Sequence, residues 1–233
     1  MKSCTGGRRF RDLSVSFLLS PHYGFSENGD VLMDLKIIDI TKDLITTEPY
    51  PGDPAPELSI FSSIAGGDGC NMARISTTLH CGTHADAPLH FIDNGKTINS
   101  VPLDKFVGEC CVIEVDTDMI TGDYVDKHFP RDTKRVLIKS GGKVFFEKTG
   151  AEEAAYFGYE LIGVDSMSIG SPGDQVNPHR AILGENVAVL ENLDLSEVEP
   201  GPYFLVAMPL KISGVEASPV RAVLLDGYVF WAN

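Results

Sequence analysis

Three histidines and an aspartate crowd one stretch of this chain, TTLHCGTHADAPLHF, in which His80, His84, Asp86 and His90 fall within eleven residues. Only six histidines occur in all 233 residues, so the concentration demands a reason. Neutral imidazoles and a carboxylate are ligands that zinc or manganese prefers, and a carboxylate can bridge two ions through its two oxygens. Three protein ligands leave a coordination position for water, as a catalytic metal site requires. The alternative is a polar loop whose histidines merely satisfy backbone groups, and the density of four such residues weighs against it.

The spacing restricts the backbone. Gly82 and Pro88 oppose a helix whereas Thr77, Thr78 and Leu79 favour a strand, so the segment reads as a strand leading into a bent loop. A straight strand would separate His80 from Asp86 by about 20 Å at roughly 3.3 Å per residue, too far for one ion. Gly82 permits the necessary fold-back. Farther on, Pro178-His179-Arg180 is followed by VAVLENLDL, where Glu191 ends an apolar run. A carboxylate there is costly to bury without a cation, but residue chemistry alone favours a solvent-facing strand end. Cys81, between two candidate ligands, reads as a small buried filler rather than a nucleophile. Asp165 and Ser166 end a strand near the expected site, and a strand-end turn explains them equally well.

Segments rich in Val and Ile recur between Gly, Pro and Asp clusters, predicting strands over 36–40, 57–64, 72–79, 109–115, 135–139, 160–164, 187–190, 203–208 and 220–224. Helical signals are brief: Thr121 caps a helix to about His128, Thr149 caps another to about Phe157, and Pro178 lies in the first turn of a third through Leu183. The fold class is strand-rich α/β, one compact domain over 33–233. Residues 1–32 read as a disordered or mis-assigned extension.

Composition excludes several functions. Nineteen Lys and Arg against 33 Asp and Glu give a formal charge of −14, which repels nucleic acid and anionic membrane surfaces alike. No apolar run approaches the roughly 20 residues of a membrane span. Five cysteines, two of them adjacent at Cys110 and Cys111, argue against a disulfide framework and for a reducing cytoplasm.

From Met33 onward the chain resembles the cyclase-type metal-dependent hydrolase family, which includes bacterial kynurenine formamidases and isatin hydrolases. The family motif His-x-Gly-Thr-His-x-Asp-x-Pro-x-His is present as His80, Gly82, Thr83, His84, Asp86, Pro88 and His90. The closing segment ENLDLSEVEPGPYFLVAMPLKISGVEASPVRAVLL and the early IIDIT are similar to family signatures as well. The resemblance implies a metal held by His80, His84 and Asp86, with Asp86 and Glu191 bridging to a second ion held also by His179. It makes His90 the general acid/base. It further implies a barrel-like mixed sheet with short peripheral helices, of the swivelling β/β/α type, assembled as a homodimer or homotetramer. The implied reaction is hydrolysis of a small-molecule amide, an arylformamide such as N-formylkynurenine, with lactam opening of the isatin type or another cyclic amide or lactone as the alternative. A non-catalytic metal-binding relative is the reading of a different class, but it would have no physical need for His90. Formamidases carry Trp before Pro-Gly-Asp where this chain has Tyr50, a smaller stacking surface that bears a hydroxyl. Tyr50 and Phe91 are the candidate pocket residues, plain core aromatics being the alternative.

Overall fold

Short β-branched segments punctuated by Gly, Pro and Asp build a sheet of many brief strands, and the computed structural model describes it over residues 23–25, 31–33 and 35–227. β1 (Tyr23–Phe25) and β2 (Val31–Met33) pair antiparallel. They fall at the end of the expected extension, the remainder of which lies outside the described residues. β3 (Lys36–Asp39) is followed by a hairpin of β4 (Glu57–Ser62) and β5 (Met72–Ser76), then by β6 (His84–Asp86), β7 (Val107–Glu114) and β8 (Met119–Ile120). The second half alternates α1 (Gly122–His128), β9 (Arg135–Lys139), β10 (Phe145–Phe146), α2 (Lys148–Tyr156), β11 (Leu161–Val164), α3 (Val176–Gly184) and β12 (Ala188–Glu191). β13 (Gly201–Val206), β14 (Ala217–Pro219) and β15 (Val223–Asp226) complete it.

Nine of these strands form one mixed sheet in the order β14-β6-β12-β11-β9-β7-β13-β15-β3. Its centre, β7-β9-β11-β12, is parallel. Parallel neighbours need crossover connections, and α1, α2 and α3 lie in the three that join them. Such strands are buried on both faces. Val136, Ile138, Ile162, Val164 and Val189 therefore pack beneath Val125 of α1, Ala151 and Ala154 of α2, and Ile182 and Leu183 of α3. Their alternate neighbours Leu137, Leu161, Ala188 and Leu190 point the other way into a second core. That second core takes in Ala85 from β6 and Ile38 from β3, strands near opposite ends of the sheet, so the sheet curls around it. Thr41, just past β3, even bridges to Leu193, just past β12. The barrel-like α/β architecture expected from the sequence is the one found.

Several local expectations differ. The predicted strand over 72–79 ends at Ser76, so the ligand stretch is a bent loop leading into a strand rather than the reverse. β6 and β14 span three residues each, too few to show a period. Glu147, not Thr149, is the N-cap residue of α2, and the Thr149 hydroxyl instead accepts from the Gly122 N–H at 3.2 Å. Cys70, Cys81 and Cys110 are free thiols among the described residues. Among the described residues no helix is long and apolar enough to cross a membrane.

The bend that returns His80 toward Asp86 depends on Gly82, whose φ of +64° lies in the left-handed region. A Cβ there would also approach Leu44 Cα to 3.1 Å. Gly82→Ala should lower stability by about 1–3 kcal/mol, and Gly82→Asn should recover part of the loss because Asn tolerates this conformation better. Chemical denaturation of the three proteins measures this, and an Ala variant as stable as the parent would contradict it.

Candidate metal centre

Register builds the centre. β6 runs antiparallel to β12 with His84 opposite Glu191 and Asp86 opposite Val189. Opposed residues of antiparallel strands project from one face, as do residues two apart along a strand. His84, Asp86 and Glu191 thus share the face of Val189, which packs toward the helices. α3 brings His179 onto the same face, its Nε2 3.2 Å from Glu191 Oε1 and 3.9 Å from Asp86 Oδ2. On the other flank of β6, Ala217 of β14 faces Asp86. The Gly82 bend folds His80 back until its Nδ1 lies 3.1 Å from Asp86 Oδ1, in place of the separation an extended chain would impose.

Backbone carbonyls fix the imidazoles. His84 Nδ1 lies 2.9 Å from the Gly82 carbonyl oxygen and His179 Nδ1 lies 2.6 Å from that of Gln175. A carbonyl can only accept, so each Nδ1 carries a proton, and in the neutral ring Nε2 presents a lone pair. That lone pair of His84 faces other acceptors, Glu191 Oε2 at 3.2 Å and Asp86 Oδ1 at 3.5 Å. His84 Nε2 and both Asp86 oxygens are buried without a hydrogen-bond partner, because these close approaches lack hydrogen-bond geometry. Glu191 Oε1, by contrast, accepts from the Ile169 N–H at 2.7 Å and the Ser168 hydroxyl at 3.1 Å.

Asp86 is fully inaccessible and Glu191 is 4% exposed. Burial and their mutual repulsion oppose ionisation of Asp86, and burial opposes that of Glu191, yet the surrounding imidazoles hold both carboxyls below their ordinary range. The converse holds for the rings. Burial pulls His80 down, but the Asp86 carboxylate, helped by Glu191 and Glu216, carries it up to about 9. His84 and His179 are raised likewise, by Asp86 and Glu191 against the cost of burial. Burial dominates at His90 and brings it down to about 4. The site therefore concentrates demand for positive charge, and this donor set of imidazole nitrogens and carboxylate oxygens fits a divalent cation.

Two groups could each hold an ion, with donor atoms within 4.8 Å of one another: His80, His84 and Asp86, and then Asp86, His90 and His179. They share Asp86, as a bridging carboxylate would be shared. The second group contains His90, for which the resemblance implies proton transfer, and Glu191 instead contacts one imidazole of each group. His90 ends a 3-10 turn, Pro88–His90, and stacks on His80 with ring centroids 4.1 Å apart. Phe91, a candidate pocket residue, stacks on His179 at 4.3 Å. The Tyr50 hydroxyl meets Gln175 Nε2 at 3.1 Å. Cys81 is buried and directs its thiol to the Leu44 carbonyl at 3.4 Å, the filler role expected of it. Asp165 accepts from the N–H groups of Ser140 and Gly141, as a strand-end turn residue does.

Sequence reasoning missed three supporting residues. Glu216 sets its Oε1 3.4 Å from His80 Nε2, opposite the nitrogen facing Asp86. Ser168 and Gln175 hold Glu191 and His179. None is singled out by type or spacing, since polar residues before α3 and after β13 read as ordinary loop. A surface groove between α2 and α3, lined by Lys148, Tyr156 and Arg180, contains none of the ligand candidates.

Known proteins resemble this chain in sequence and fold. A family model described as "Putative cyclase" matches residues 12–171, beginning before Met33. A kynurenine formamidase from Delftia acidovorans is 34% identical over 205 residues, covering 82% of this chain and 98% of the relative. The solved structure of a protein described as a "predicted metal-dependent hydrolase" from Bacillus stearothermophilus superposes with a TM-score of 0.72 at 28% identity, over 82% of this chain and 98% of that one. Isatin hydrolase A from Labrenzia aggregata has the same fold, with a TM-score of 0.72 at 19% identity over 83% of this chain and 94% of its own. With the histidine motif, the curled sheet and these likenesses in agreement, the chain belongs to the cyclase family.

Proposed function

We propose that this protein is a metal-dependent hydrolase that cleaves the carbon–nitrogen bond of an arylformamide such as N-formylkynurenine, giving formate and an arylamine. The observation that carries the reading is the buried group of acceptors formed by Asp86 and His84 Nε2, which lacks hydrogen bonds and which a cation satisfies. The 34% identity to a kynurenine formamidase supports the amide as the bond attacked.

In this reading His80, His84 and Asp86 would hold one zinc or manganese ion, and Asp86, Glu191 and His179 would hold a second. When bound there, a divalent ion would supply Lewis acidity toward the scissile carbonyl and would lower the pKa of water toward roughly 7. The protein supplies the rest. The Gly82 and Gln175 carbonyls keep the His84 and His179 rings from turning, so the nitrogens stay directed at the centre. The two buried carboxylates would offset the positive charge. His90 takes a proton from the attacking water and returns it to the amide nitrogen as the C–N bond breaks, so that the amine leaves neutral. Its ring suits proton transfer because no hydrogen bond ties either nitrogen among the described residues, unlike those of His84 and His179.

Six apolar residues stand exposed on the β4–β5 hairpin, Leu58, Ile60, Phe61, Ile64, Met72 and Ile75, a concentration that monomeric surfaces rarely carry. This supports a homodimer or homotetramer. Light scattering should return at least twice the chain mass of 25.3 kDa, and a monomer at micromolar concentration would count against the assembly.

His90→Ala should reduce kcat for an arylformamide by about 10²- to 10⁴-fold while metal content is retained. Metal loss in parallel with activity would instead make His90 a ligand of the Asp86 and His179 group. Turnover of an isatin-like lactam by the parent protein, with none of any arylformamide, would move the assignment to ring opening.

A further inference from the structure

His80 is turned the other way round from the two imidazoles that backbone carbonyls fix. His84 and His179 give Nδ1 to the carbonyls of Gly82 and Gln175 and direct Nε2 at the carboxylates. His80 has no such carbonyl among the described residues. Its Nδ1 lies 3.1 Å from Asp86 Oδ1, and its Nε2 faces Glu216 Oε1 at 3.4 Å. The approach to Asp86 lacks hydrogen-bond geometry, since both Asp86 oxygens are buried without a partner. Nδ1 and Oδ1 are instead spaced as two donors directed at one ion.

The backbone places Glu216. Its carbonyl accepts from the Ala87 N–H at 2.8 Å, just past β6, and the Val215 carbonyl accepts from the Ile98 N–H at 2.9 Å. Ala217 then stands opposite Asp86, so the residue is anchored to the strand that carries the ligands. Among the described residues its carboxylate has no basic partner other than His80. The pair lies on the solvent side of the cluster, with side chains 20% and 36% exposed where those of His84, Asp86, His179 and Glu191 are at most 5%. We propose that Glu216 is a positioning residue of the metal centre: it keeps the His80 proton on Nε2, so that this ring offers Nδ1 to the ion while His84 and His179 offer Nε2. The inference rests on the metal-dependent reading above and goes beyond it by naming the ligating atom and the residue that selects it. A neutral imidazole has one lone pair, and an acceptor beside one nitrogen leaves that lone pair on the other. A carboxylate behind a ligating ring also holds its orientation and raises its basicity.

Long-range proton–nitrogen correlation spectra of the histidine rings report which nitrogen carries hydrogen. In the zinc-loaded parent, His80 should show a proton on Nε2 with Nδ1 bound, and His84 and His179 the reverse. One pattern shared by all three rings overturns the proposal with no substitution made. Competition with a chelator then reads zinc affinity in the parent, Glu216→Gln and Glu216→Ala. The Gln amide oxygen can still accept from Nε2–H, whereas Ala removes the acceptor. Zinc in the His80 group should bind about 10- to 100-fold more weakly in Glu216→Ala, the usual cost of losing such a partner. Glu216→Gln should lose less, and the ion beside His179 should change little in either variant. Equal losses in Gln and Ala would assign the effect to charge alone, and equal losses at both ions would mark a general destabilisation; either result, or unchanged affinity in Ala, overturns the role of Glu216. A parent that binds neither zinc nor manganese at these residues overturns the metal-dependent reading itself, and that failure is visible before any variant is made.

Discussion

Two carboxylates buried side by side are the constraint that the rest of this protein answers. Bringing Asp86 and Glu191 out of water costs several kcal/mol for each ion, even after the surroundings relax. Their mutual repulsion adds to that cost. Hydrogen bonds relieve only part of it, because the Ile169 N–H and the Ser168 hydroxyl reach one oxygen of Glu191 while both oxygens of Asp86 have none. What remains must come from positive charge. Protonated imidazoles supply it when no metal is bound, and a divalent cation supplies it with better geometry, since imidazole and carboxylate donors can all point at one ion. The same arrangement thus accounts for the low carboxyl pKa values, the raised histidines and the fit to a metal.

Holding such a cluster together requires a scaffold that positions each member separately. β12 lies at the edge of the parallel core, and its period-2 alternation sends Val189 and Glu191 to the helix face while Ala188 and Leu190 fill the other core. β6 contributes only three residues, but pairing with β12 on one side and β14 on the other fixes its register. A slip of one residue would send His84 and Asp86 to the opposite face and Ala85 into their place. α3 lies in the crossover between β11 and β12, so the helix that bears His179 is held by both strands. The burial that stabilises the sheet is therefore also what sets these imidazoles and carboxylates within reach of one another.

Much of this is legible in the sequence, and the reasons differ by residue. The β-branched runs at 135–139 and 160–164 announce buried central strands because both faces need apolar side chains. His80, His84 and Asp86 stand out by type and density alone. Local propensity gives their structure in reverse order, since Thr77 to Leu79 favour a strand but lie in none, whereas His84 to Asp86 have little propensity and are held by two neighbours. Tertiary pairing outweighs local preference there. Glu191 and His179 need the family resemblance, because a lone carboxylate at a strand end is usually solvated. Glu216, Ser168 and Gln175 carry no signal, as their roles arise only when loops distant in sequence meet. The partial merging of His90 into a second ligand group is likewise invisible, being a matter of ring positions and not of spacing.

If the imidazoles and carboxylates converge on cations, an anomalous difference map from crystals grown with manganese shows it most directly. One peak is expected at about 2.0–2.2 Å from His80, His84 and Asp86, and a second that shares Asp86 and touches His179 and Glu191. A map with no peak in this cluster, with the rings instead hydrogen-bonded to the carboxylates and manganese bound elsewhere, would contradict the metal centre.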